Sequence, residues 1–165
     1  MNPEATPAQK TEAPARANAP ANTVVVVRTL DASADNVYAA WTNPTVMRRW
    51  LATVVETDLR VGGRYRIAIH EDDGTVNVFT GEYQVLEPGR RIVKTFRHHS
   101  AKPGEYVDEF VDVTLRPLGP NRTELTLVNG WTTPSATNQQ LEAVKEGFNR
   151  WLDLLEAALG QIADR

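Results

Sequence analysis

The sequence predicts an α+β fold in which a curved antiparallel sheet wraps around one long C-terminal helix. Two observations carry that expectation. Between residues 53 and 128, short alternating apolar segments follow one another, each closed by a turn rich in Gly, Pro, Asp or Asn, the pattern of consecutive hairpins. From Leu141 the period changes: apolar residues fall at 141, 144, 148, 151, 152, 155, 159 and 162, spacings of three and four that draw one stripe along a helix of about two dozen residues. A helix carrying Phe148, Trp151 and Leu155 on one side must bury that stripe, and the inner face of the sheet is the large apolar surface on offer.

The elements follow in order. Residues 1–22 are dominated by Ala, Pro and Thr, and prolines at 3, 7, 14 and 20 interrupt any helix the alanines favour, so this stretch reads as a disordered tail ahead of one domain spanning 23–165. Val24 to Val27 is a β-branched run that suits a first strand. Ser33 is placed to cap a short helix through Tyr38 and Trp41, and Pro44 sits well at the first position of a second short helix carrying Met47 and Trp50. Strands are expected at Thr53 to Leu59, at Arg64 to Ile69 with Tyr65, Ile67 and Ile69 on one face, and at Val76 to Leu86 with Phe79, Gly81, Tyr83 and Val85 on one face. Gly62-Gly63 reads as a bend or bulge, and Asp72-Asp73-Gly74 and Pro88-Gly89 as turns. Further strands are expected at Arg91 to His98, Tyr106 to Arg116 and Thr123 to Val128, in an antiparallel meander, and Pro134 or Ser135 is expected to start the last helix.

Composition excludes several classes of function. A chain of 165 residues supports one domain, and no apolar run approaches the roughly 20 residues that cross a bilayer. A formal charge of -3 does not provide the basic face that nucleic acid requires. With no cysteine there are no disulfides and no thiolate chemistry, and the absence of an apolar leader core makes the cytoplasm the expected location. Ser33, Ser100 and Ser135 lie outside any Gly-x-Ser-x-Gly elbow, and neighbours on a strand such as His98 and His99 point to opposite faces, so neither a nucleophile nor a metal site is expected. No phosphate-cradling glycine motif stands out, and no cofactor is expected.

What remains is the space between helix and sheet. Trp50, Tyr83, Phe96, Phe110, Trp131, Phe148 and Trp151 are the expected lining of an apolar pocket there. Lys94, Phe96 and His98 share one strand face, as do Tyr106, Asp108, Phe110 and Asp112, and either face would present polar groups to a ligand. Strand parity leaves open which of the two looks inward. His98, Asp108 and Tyr106 are the candidates for acid-base chemistry in the same cavity.

The segments Arg28-Thr29-Leu30-Asp31-Ala32, Val37 to Pro44, Arg49-Trp50, Asp58 to Tyr65, Gly81-Glu82-Tyr83 and Glu124 to Leu127 occur in the order seen in bacterial proteins similar to the activator of the heat-shock-protein-90 ATPase. On these motifs the chain resembles that family, part of the START-like or SRPBCC superfamily, over roughly residues 23–160. The resemblance implies the helix-grip fold and a cavity for a small hydrophobic or amphipathic ligand, with no catalysis identified. It also brings two alternatives: an enzyme of cyclase or hydrolase type using acid-base residues in that cavity, and a chaperone-associated protein-interaction domain with a protein partner or a second copy of the chain. Many relatives carry paired tryptophans and Gly-Pro where this chain has Trp50-Leu51-Ala52, and a histidine before the Gly-aromatic pair where it has Val128-Asn129-Gly130-Trp131.

Overall fold

The structure, a computed structural model, describes residues 22–99 and 106–163, so the disordered tail expected over residues 1–22 lies outside the described residues except for Asn22, which belongs to the first strand. Among the described residues eight strands and three helices follow one another: β1 (Asn22–Leu30), α1 (Ala34–Thr42), α2 (Pro44–Trp50), β2 (Val54–Thr57), β3 (Arg64–His70), β4 (Val76–Glu87), β5 (Arg91–Thr95), β6 (Arg97–His99), β7 (Phe110–Gly119), β8 (Arg122–Trp131) and α3 (Asn138–Ala163). The strands form one antiparallel sheet in the order β1-β8-β7-β5-β4-β3-β2, with β6 paired to β4 off this path. A meander therefore runs from β2 to β8, and β1 closes the far edge beside β8.

Local chemistry sets the two short helices as expected. The Ser33 hydroxyl accepts from the Asn36 amide to cap α1, and the Asn43 side chain accepts from the Thr45 amide to cap α2 with Pro44 in its first turn. The long helix starts later than Pro134 or Ser135. Thr137 Oγ1 accepts from the Gln140 amide while Gln140 Oε1 accepts from the Thr137 amide, a reciprocal capping box that satisfies two exposed donors. Pro134 instead lends its carbonyl to the Trp131 indole and to Asn22.

Asn22, grouped by composition with the tail, is a buried hub at the start of β1. Its Nδ2 donates to the carbonyls of Trp131 and Pro134, and its Oδ1 accepts from the Ala136 amide, tying β1 to the connection into α3.

The sheet bends where β4 changes partner, from β6 at Val78–Thr80 to β5 at Tyr83–Glu87, with a register shift between Tyr83 and Val85. Gly81 sits at this bend because nothing larger fits: a Cβ there would lie 2.0 Å from the Thr95 carbonyl oxygen and 2.7 Å from the Tyr65 hydroxyl. The expected single strand Arg91 to His98 is accordingly broken at Phe96 into β5 and β6. The start expected at Tyr106 is also late: Asp108 adopts a positive φ of 54°, Val107 makes only an isolated bridge to Thr133, and β7 begins at Phe110.

The helix α3 crosses the inner face beside β1, α1 and α2, burying Phe148, Leu152, Leu155, Ala158 and Leu159 in the core. At the rim Arg28 of β1 clamps it, donating to Asp153 Oδ1 at 2.7 Å and to Asn149 Oδ1 at 2.9 Å. Among the described residues no helix is long and apolar enough to cross a membrane.

Candidate functional site

Register decides which strand face looks inward. One row crosses five strands as Val24, Asn129, Val111, Lys94 and Tyr83, and the next runs Val26, Leu127, Val113 and Ile92, all but the polar members belonging to the apolar core. Lys94, Phe96 and His98 therefore stand on the inner side. The alternative face does not: Phe110 pairs with Thr95 and Gly130, and Asp112 with Val93 and Val128, on the opposite side of the sheet. Asp108 is exposed in the turn before β7, and Tyr106 is 40 % exposed, stacked on Trp131 at 4.5 Å.

The expected lining residues are consequently divided. Phe96, Phe148 and Trp151 come together with Phe79 and His98 in one aromatic cluster, with ring centroids 4.5 to 6.2 Å apart between β4, the β5–β6 break and α3. Tyr83 is fully buried on the inner face, held by its amide to the Gly63 carbonyl and by its hydroxyl to Thr57 Oγ1 at 2.9 Å. Trp50 lies under α1, its indole donating to the Ala40 carbonyl at 2.8 Å and its ring edge-on to Trp41 at 5.1 Å. Trp131 ends β8, anchored to the Pro134 carbonyl. Phe110 does not join them.

Within this apolar surface stand polar groups whose bonding is incomplete. Lys94 is 2 % exposed, and its ammonium lies 4.6 Å from the Tyr65 ring centroid and 5.6 Å from that of Trp41. Removal from water disfavours the charged amine and brings its pKa down to about 8. The Glu109 carboxyl, buried just ahead of β7, accepts from Asn129 Nδ2 at 2.9 Å, and burial outweighs that bond and pushes its pKa up to about 7. Asn129 Nδ2 also reaches the Phe110 carbonyl, yet Asn129 Oδ1 is buried without a donor. The Trp41 indole Nε1 is likewise buried without an acceptor. Burial drives the Tyr65 hydroxyl well above its ordinary pKa, with the nearby Tyr83 and Glu109 adding to the effect, and it donates to the Thr95 carbonyl at 2.6 Å.

Glu109, Asn129 and the Trp41 N–H were absent from the expected site, although a signal for the first two existed. Residue 109 has the inward parity of Val111 and Val113, and residue 129 that of Leu125 and Leu127, so each is a polar residue at a core-facing position. The orphaned indole nitrogen has no such signal, because it depends on how α1 meets the sheet.

His98 stacks on Phe79 at 4.5 Å, and its Nε2 bonds Asn77 Oδ1 at 2.9 Å, with burial and then the neighbouring His99 lowering its pKa. Among the described residues no group of three or more His, Asp or Glu side chains converges as metal ligands would. A separate concavity of about 720 Å³ opens on the outer face of β2–β4, lined by Glu56, Arg64, Arg66, Thr80 and Glu82. Its walls are solvent-facing charges such as the Arg66–Glu56 pair at 3.6 Å, which water already satisfies.

The sequence profile of the family described as Activator of Hsp90 ATPase homolog 1-like protein matches residues 31–160, which include the whole inward row from Tyr83 to Asn129. The chain belongs to that family. Its solved structural relatives share the helix-grip architecture. The chain is 29 % identical to CV1439 from Chromobacterium violaceum, with a TM-score of 0.69 over 84 % of this chain and 96 % of that one. It is 25 % identical to MLL2253 from Mesorhizobium loti, with a TM-score of 0.68 over 85 % and 98 % of the respective chains. It is 26 % identical to CalU16 from Micromonospora echinospora, with a TM-score of 0.63 over 83 % and 75 %. No curated protein matches the chain.

Proposed function

We propose that this protein binds a small hydrophobic or amphipathic molecule between the inner face of its sheet and α3. The observation that carries the reading is the company kept by three polar groups, Asn129 Oδ1 and the Trp41 N–H, buried without hydrogen-bond partners, and the Lys94 ammonium held over aromatic rings, all set in a surface otherwise built from aromatic and aliphatic side chains. Unsatisfied buried polar atoms cost about 1–3 kcal/mol each, a cost that a bound molecule completing their bonding removes. Apolar burial supplies the affinity at about 25 cal/mol per Å², and the polar groups fix orientation. The family membership and the helix-grip relatives support the same reading. A thermal-shift and native mass-spectrometry screen against lipids, sterols and aromatic polyketides tests it. Stoichiometric adducts that raise the melting temperature are expected, and a complete absence of adducts across the panel would overturn it.

Glu109 favours a second reading, acid-base chemistry on the bound molecule. A buried carboxyl that titrates near neutrality suits a proton acceptor or donor, and Glu109 is far better enclosed than Asp108 or Tyr106. Product analysis of retained compounds tests this reading: Glu109→Gln should keep binding and lose conversion, whereas a wild-type protein that returns every ligand unchanged contradicts it.

A further inference from the structure

We propose that the molecule held against the inner face carries an anionic oxygen, a carboxylate or a phenolate, seated between the Lys94 ammonium and the Trp41 indole N–H. The inference rests on the binding reading above and names the chemical class that this site takes. Lys94 is a cation enclosed by rings: its Nζ stands over Tyr65 and Trp41, and among the described residues no carboxylate forms an ion pair with it. The Trp41 ring that it covers carries a second donor, Nε1–H, buried and without an acceptor. Two donors on adjacent groups, one of them charged, are suited to one acceptor oxygen, and a charged acceptor gains most from an ammonium in a dry setting.

The surroundings agree. The other titratable groups on this face are Tyr65 and Tyr83, both held in their neutral hydroxyl forms by burial, Glu109, which burial drives toward its neutral form, and His98, a base that burial and then His99 push toward its uncharged form. None of them replaces the missing counter-ion. The aromatic cluster of Phe79, Phe96, Phe148 and Trp151 lies farther along the same face and offers an apolar bed for the rest of the molecule.

Isothermal titration at neutral pH with two matched pairs tests the inference: 2-naphthylacetate against 2-(2-naphthyl)ethanol, and dodecanoate against 1-dodecanol. In each bound pair the carboxylate should bind about tenfold or more tightly than the alcohol, as a charge-assisted hydrogen bond in a buried site provides. Lys94→Met should abolish that preference, and Trp41→Phe should weaken the carboxylate more than the alcohol. Equal affinity of acid and alcohol in the wild-type protein overturns the inference and leaves the binding reading standing. Retention of the preference in Lys94→Met also overturns it. Failure of all four probes to bind overturns both. The wild-type comparison decides even if a variant does not fold.

Discussion

Replacing Lys94 by methionine should stabilise the protein, although the substitution is buried and removes a charge. The Lys94 side chain is 2 % exposed, and burial has brought its pKa from 10.5 to about 8. At about 1.4 kcal/mol per decade, keeping that amine protonated in the folded state costs about 3 kcal/mol at neutral pH. Methionine has nearly the same length, fills the same volume and needs no solvent, but it forfeits the cation-π contacts with Tyr65 and Trp41, worth roughly 0.5–2 kcal/mol. A net gain of about 2 kcal/mol follows, or about 4–8 °C in Tm for a domain of this size. The pH dependence is a sharper signature. Between pH 8 and 10.5 the unfolded chain keeps a proton on Lys94 that the folded chain has released, so wild-type stability rises with pH across that window. The advantage of Lys94→Met is therefore largest below pH 8 and shrinks toward pH 10. Urea unfolding of both proteins at pH 7, 8.5 and 9.5 measures it. A variant less stable than wild type by 1 kcal/mol or more, or a gain unchanged over this range, would refute the picture of an amine held without a counter-ion.

Three other perturbations probe the frame around it. Glu109→Gln should raise stability by about 2 kcal/mol above pH 7 and little below pH 4.5, because folded Glu109 keeps its proton up to about 7 and the penalty of burying its charge builds as pH rises through that interval; urea midpoints at pH 4.5 and 8 check this. Asn22→Ala should cost about 2–4 kcal/mol by taking one donor from each of the Trp131 and Pro134 carbonyls and leaving the Ala136 amide without its acceptor, and amide exchange should accelerate at the start of β1 and in the 132–137 connection. Gly81→Ala should destabilise by at least about 3 kcal/mol in thermal unfolding, since its new methyl meets the Thr95 carbonyl oxygen and the Tyr65 ring with no room to turn.

The architecture was legible because it rests on two periods that the sequence displays openly. The three-and-four spacing from Leu141 to Ile162 and the alternation in Arg64 to Ile69 each report one buried face, and helix-start residues such as Ser33 and Pro44 act within a few residues of themselves. Where the reading slipped, the cause was tertiary. The strand Arg91 to His98 breaks at Phe96 because β4 changes partner beside Gly81, and the late start of α3 follows from the use of the Pro134 carbonyl by Asn22 and Trp131. For the site, alternation places Lys94 with Phe96 but is silent on which face is concave. That choice comes from the row linking Lys94 through Val111 to Asn129, a pairing between strands far apart in sequence. Phe110 fell on the other face for the same reason, and Glu109 escaped notice because its parity mattered more than its charge.

The four indole N–H groups of this chain provide the most direct test that a molecule enters the space between sheet and helix. Trp50 Nε1 already donates to the Ala40 carbonyl and Trp131 Nε1 to the Pro134 carbonyl, whereas Trp41 Nε1 is buried with no acceptor and Trp151 stands in the aromatic cluster. In 1H-15N correlation spectra assigned with single Trp→Phe variants, titration with 2-naphthylacetate should move the Trp41 and Trp151 indole resonances, Trp41 downfield as it gains an acceptor, and leave those of Trp50 and Trp131 in place. Saturating ligand that shifts only Trp50 or Trp131, or none of the four, would contradict a binding site between Trp41 and the aromatic cluster.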